Sequence, residues 1–291
     1  MRVREPVVAG RFYASDPERC RQDLADLLRD ASTDARNGEK LIGGIVPHAG
    51  WMCSGRVAAK VFAALAASRS PTAIVMFGGV HHAIGPDAAL FPDGRWDTPI
   101  APLEIDARLA ERILGQTCLI ADDPFAHVAE HSLEVQMPFV ALLFPRAKVV
   151  PIMVPPGPRA HEVGEAVGRT LKAYNYDAVV VGTTDLTHYG PGYGFTTHGV
   201  GPAGNRWAKE ENDKPFIELV CALRFADVVE EAAQRKNACS SGAVAATLAA
   251  AKTLGATKGA LLEHTTSSEV LGGVGRREHL DSVGYAGIVL S

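Results

Sequence analysis

The sequence lacks any run of about 18 apolar residues of the kind a membrane-spanning helix needs. Its opening stretch, MRVREPVVAGRFY, also lacks the uninterrupted apolar segment of a secretory signal, so a cytoplasmic chain is expected. Blocks of like charge are missing too: 29 Lys and Arg are interspersed with 33 Asp and Glu, for a net charge of -4. That balance gives nucleic acid and anionic lipid no bulk attraction, and neither is expected as a partner. Cysteine is sparse and odd in number, with five residues scattered at 20, 53, 118, 221 and 239, which excludes a disulfide framework and suits a reducing compartment. A special cysteine here would be a metal ligand or a nucleophile. Internal repeats and low-complexity tracts are absent as well.

What is present fits a globular protein with a sizeable core. Hydrophobic residues make up 47% and charged residues 21% of 291 residues, and one large domain over 1–291 is expected. Short β-branched or apolar runs at 41–46, 73–77, 148–154, 178–181, 259–263 and 282–290 read as strands. Segments of helical periodicity lie between them at 17–29, 54–67, 106–114, 161–174 and 241–254. The alternation predicts an α/β fold with a largely parallel central sheet flanked by helices. Residues 85–102 break the rhythm and read as a hairpin or irregular excursion. Residues 190–204 carry six glycines and two prolines, the composition of a functional lid or a disordered loop.

In an open α/β sheet, ligands bind beyond the carboxyl ends of the strands. His48 follows the first run in VPHAG, His81 the second in FGGVHH, and Asp185 with His188 the fourth in VVVGTTDLTHYG. Any one of these histidines could simply cap a turn; three strands delivering imidazoles to one edge is better explained by a site. Cys239 directly precedes Ser240 and Ser241, which open an Ala-rich helical segment whose N-terminus favours thiolate over thiol. Cys20 and Cys221 fall inside apolar helical patterns and read as core, with Cys53 intermediate. In AEHSLEVQMPF a helix is expected from 130 to 137, placing Glu130 and Glu134 one turn apart beside His131. Those groups can orient a ligand or move a proton, or equally form an ordinary polar face.

Taken in order, AGRFYASDP, VPHAGWMCSG, GGVHH with GRWDTP, EHSLEVQMPF, TTDLTHYG, NACSSG and SVGYAGIVL span the chain and resemble the MEMO family, which includes the bacterial AmmeMemoRadiSam system protein B. The resemblance implies a fold similar to class III (LigB-type) extradiol dioxygenases, with metal positions falling on His48, His81 and Cys239. It implies His188 as the acid/base histidine, with Asp185 close by to orient it, and the AEHSLEVQMPF segment adds His131 as a further catalytic candidate. Two departures stand out: Gly79 and Val80 precede His81 where the family commonly has Pro and Asn or Ser, and SSGAV follows Cys239 where a glycine and later a proline are usual.

Two imidazoles and an anionic ligand with open positions suit Fe(II), while the thiolate also admits Cu(I) or Zn. The leading expectation is a non-haem iron oxidoreductase or dioxygenase acting on a small aromatic or enediol-like substrate. A metal- or peptide-binding regulatory module is the alternative, and a zinc-dependent hydrolase with His188 or Glu134 as base is a third reading. The family context further implies radical-SAM and AMMECR1-type proteins as partners.

Overall fold

The computed structural model describes residues 1–29, 31, 39–82, 84–272 and 280–291. Its strands are β1 (Val3–Arg4), β2 (Gly43–Val46), β3 (Ala73–Gly78), β4 (Ala88–Leu90), β5 (Arg95–Trp96), β6 (Leu103–Glu104), β7 (Ile120–Asp122), β8 (Lys148–Met153), β9 (Ala178–Thr183), β10 (His188–Tyr189), β11 (Gly259–Thr266) and β12 (Ser282–Leu290). The helices are α1 (Pro17–Arg29), α2 (Trp51–Ser68), α3 (Ala107–Leu114), α4 (Met137–Leu143), α5 (Ala160–Ala173), α6 (Pro202–Trp207), α7 (Asp213–Cys221), α8 (Val228–Arg235), α9 (Ser241–Thr253) and α10 (Ser267–Leu271), and a π-helical turn, Ala208–Asn212, joins α6 to α7. No helix among the described residues is long and apolar enough to cross a membrane.

The main sheet runs β10-β12-β2-β9-β3-β8-β4-β7, with β11 on β12. Its centre is the expected parallel arrangement, β2 on β9, β9 on β3 and β3 on β8. Its edges are antiparallel where β12 meets β2, β10 and β11, and where β4 meets β8. Along β3, Ile74 and Met76 enter one apolar core with α2 and α4, while Val75 and Phe77 enter the other with α5 and α9. Both faces are covered, which is why the central runs are apolar throughout instead of alternating.

The excursion at 85–102 is ordered: β4 joins the main sheet, and β5 joins β1 and β6 in a small second sheet. Residues 190–204 are ordered too. Tyr189 Oη donates to the Gly199 carbonyl at 2.9 Å and accepts from the His198 N–H at 2.7 Å, while the His198 ring stacks on Trp207 with centroids 3.7 Å apart.

Helices α5 and α9 meet with no room for a side chain. A Cβ added at Gly164 would stand 1.9 Å from the Ala246 carbonyl oxygen, so the two backbones touch there. That contact fixes the position of α9, whose N-terminal approach carries Cys239.

Candidate metal centre

The carboxyl ends of three central strands build the site. Just past β2, His48 is 1% exposed. Its N–H donates to Asp185 Oδ1 at 2.7 Å, and its Nδ1 lies 3.1 Å from Thr183 Oγ1 at the end of β9. Past β3, His81 places Nδ1 2.9 Å from Glu130 Oε1, and its N–H donates to Glu130 Oε2 at 2.8 Å. With Nδ1 engaged, each ring keeps Nε2 for an ion, and the partner fixes the ring's orientation.

His131 completes the group. One ring nitrogen from each of His48, His81 and His131 lies within 4.8 Å of the other two, a spacing that one ion could span. The ring centroids are 5.2 Å apart for His48 and His81, 5.6 Å for His48 and His131, and 4.5 Å for His81 and His131. Phe12 meets the His131 ring edge-on at 5.0 Å.

Cys239 adjoins this group from the His48 side, its Sγ 3.2 Å from His48 Nε2. The Asp185 N–H points at the same sulfur at 3.3 Å, and the Cys239 N–H returns to the Asp185 carbonyl at 3.1 Å. Burial would raise this thiol, but His48 and then His81 outweigh it and bring it down to about 5. The imidazoles therefore supply the thiolate preference that was expected from the helix terminus. Burial likewise lowers His81, yet hydrogen bonds to Cys239 and Glu130 carry it up to about 10. His131, by contrast, is lowered to about 4 by burial and by the neighbouring His48 and His81.

The expected helix over 130–137 does not form as such. A turn follows Glu130, a short 3-10 stretch covers Glu134–Gln136, and α4 starts only at Met137. The Glu130 carboxylate accepts the N–H groups of His131 at 2.9 Å and Ser132 at 2.8 Å, replacing the helical bonds of its own segment. Glu134 is committed elsewhere. It accepts the N–H groups of Val7 and Val8 and the Tyr13 hydroxyl, and pairs with buried Arg4 at 2.8 Å. With its oxygens engaged in this way it is a structural anchor, so the expectation of Glu134 as a hydrolytic base is dropped.

His188 stands apart from the three-imidazole group, on β10. Its Nδ1 donates to the Leu186 carbonyl at 3.0 Å and its ring meets Tyr193 edge-on at 5.0 Å. Its orienting partner is thus a backbone carbonyl, while Asp185 braces His48 and Cys239. Behind this turn, buried Asp213 accepts the Thr187 N–H at 3.0 Å and pairs with His264 Nε2 at 3.0 Å.

Thr183 and Phe12 were not singled out from the sequence. Thr183 is the first residue of the TTDLTHYG motif, where a hydroxyl at a strand end beside a ligand histidine was the available signal. All five cysteines are free thiols. Cys20 is buried, and burial pushes it up to about 12, as suits an inert core residue.

Comparison with known proteins gives the family. The chain is 34% identical to a MEMO1 family protein of Pyrobaculum aerophilum over 297 residues, covering 99% of each chain. It is 34% identical to one from Methanopyrus kandleri, covering 98% of each, and 32% identical to one from Pyrococcus abyssi, covering 99% of each. A solved structure from Escherichia coli K12 covers 86% of this chain and 100% of its own, with TM-score 0.49 and 12% identity. With relatives about a third identical from end to end and the family model for Memo-like proteins matching residues 4–289, this chain belongs to the Memo-like protein family.

Proposed function

We propose that the chain binds a transition-metal ion between His48 and His81, completed by Cys239, and uses it as a non-haem iron oxidoreductase on a small aromatic or enediol-like substrate. The observation that carries this reading is the convergence of His48, His81 and His131 within 4.8 Å, with the Cys239 thiol 3.2 Å from His48. Imidazole and thiolate donors, two of the rings already oriented by Thr183 and Glu130, fit such an ion chemically. Bound as Fe(II), it would supply the coordination positions at which a chelating substrate and dioxygen meet. His188, with Nδ1 held by Leu186, presents Nε2 to take or return the substrate's proton. Asp185 holds the His48 backbone and the Cys239 sulfur in one frame.

A second reading draws on the fourth donor. Three imidazoles and a thiol are enough to close a tetrahedral site, and a closed site is structural or metal-handling in place of catalytic.

Elemental analysis of the purified chain beside His48→Ala, His81→Ala, Cys239→Ala and His131→Ala separates the two. Near-stoichiometric iron lost in the first three and retained in His131→Ala is the expected result. Zinc or copper lost in all four supports the closed site, and no bound metal in anaerobically prepared, iron-supplemented wild type would sink both readings.

A further inference from the structure

A cavity of about 680 Å³ opens on the side of the centre where Cys239 lies. Pro156 and Pro158 of the β8–α5 connection form one wall, Phe225 and Val229 another, and Cys239 with Ser241 lies at the approach to α9. His161 and Phe225 stack on each other with centroids 5.7 Å apart and 28° between planes, giving the cavity a continuous aromatic surface. The size falls within the roughly 300–1,000 Å³ of small-molecule pockets.

Charge narrows the occupant. Among the described lining residues there is one carboxylate, Glu230, and no lysine or arginine. Glu230 is exposed and already accepts a hydrogen bond from Gln234 at 2.8 Å. Lys252 sets its Nζ 5.3 Å from the Phe225 ring but does not line the cavity, so the lining favours a flat uncharged ring, which loses little on entering and gains aromatic contact, over a phosphate or carboxylate. A second cavity of about 560 Å³ is charged by contrast: Phe12, Trp51 and Met52 are accompanied there by Arg11, Arg19 and Arg56 and by Asp23 and Asp26, with Arg19 and Asp23 paired at 2.8 Å.

We propose that the cavity between α5, α8 and the start of α9 binds a neutral, flat, apolar small molecule, and that this molecule lies against Cys239 of the metal centre. The assignment goes beyond the reading of the centre: an apolar molecule has no oxygens with which to chelate an ion, so this ligand is a neighbour of the centre and not its chelating substrate. The cavity's walls are present in the chain alone, so the assignment can be tested without metal.

The test is a fluorescence titration of the metal-free full chain with N-phenyl-1-naphthylamine, a neutral aromatic probe. Wild type is compared with Ala226→Trp and Ala233→Trp, which add bulk at exposed positions of this cavity, and with Ala14→Trp in the arginine-lined one. Binding weakened by about tenfold or more in the first two and unchanged in Ala14→Trp is expected, a difference easily read from Kd. Saturating probe should also slow iodoacetamide alkylation of Cys239 by about threefold or more, because access controls thiol reactivity, and leave exposed Cys118 unaffected. No binding to wild type, loss only in Ala14→Trp, or an unchanged alkylation rate at Cys239 would each overturn the proposal. Because no metal is added, such a failure is separate from a failure of the elemental analysis.

Discussion

Residues 127–136 present two faces of opposite use. One face is turned to Arg4: the guanidinium donates to the His127 and Glu130 carbonyls at 2.8 Å each and pairs with Glu134. The other is turned to the metal centre, where the Glu130 carboxylate orients His81 and His131 takes its place among the donors. Glu130 and Glu134 are four residues apart and both nearly fully buried, yet one holds the His81 imidazole and the other ties down the N-terminal segment. Burial of a carboxylate therefore does not mark it as functional; what it accepts from does.

Removing the structural member should show the largest effect. Glu134→Ala leaves Arg4 buried without its carboxylate, and a loss of about 3–5 kcal/mol in denaturant-measured stability is expected, with the remaining folded protein keeping its metal content. A loss of metal at unchanged stability would erase the distinction between the faces.

The centre itself should respond to pH before any residue is changed. His81, raised to about 10, and Cys239, lowered to about 5, form a protonated imidazole beside a thiolate, so capturing an ion expels the His81 proton. Burial lowers His48 as well, but Cys239 and Asp185 outweigh it and leave that ring raised, so metal affinity should rise at least about tenfold per pH unit, or at least about a hundredfold between pH 6 and 8. A flat profile in competition titrations would mean that His81 is already neutral without metal.

On the structural face, His127 is fully buried and lowered to about 3, first by burial. The unfolded chain binds its proton near the ordinary histidine value of about 6.5. Below that the unfolded state carries more protons than the folded one, so stability falls as pH drops, by about 2 kcal/mol at pH 5 from this residue. His127→Phe should flatten that part of the curve, and an unchanged slope would show that another group carries it.

The smallest effect is expected on the functional face. Glu130→Gln keeps the shape but weakens the hold on His81, and at least about a tenfold loss of metal affinity should follow, equal to about 1.4 kcal/mol. Equal affinities in the two proteins would return Glu130 to the structural class.

How far the sequence could be read depended on the range of the interactions involved. The ends of α1 and β12 matched the expected 17–29 and 282–290, because periodicity and local capping set them. The strand-end rule placed His48 and His81 at the sheet edge and the helix start placed Cys239 before α9, and the structure brings the Cys239 sulfur to 3.2 Å from His48. His131 as a neighbour of the other two rings was not legible, since its place depends on Glu130 folding back onto its own N–H groups instead of continuing a helix. Helix α8 was also passed over, and α7 was read only as the apolar helical pattern around Cys221. A proline at 215 resembles a breaker, yet the helical path runs on through it from the π-helical turn Ala208–Asn212, and the left-handed Lys236 ends α8 without a glycine.

The contact at Gly164 gives the centre a remote point of adjustment. Even a methyl group there would have to displace α9, and with it the turn bearing Cys239, although position 164 lies in the middle of another helix. The geometry of this site therefore depends on a residue that has no chemistry of its own.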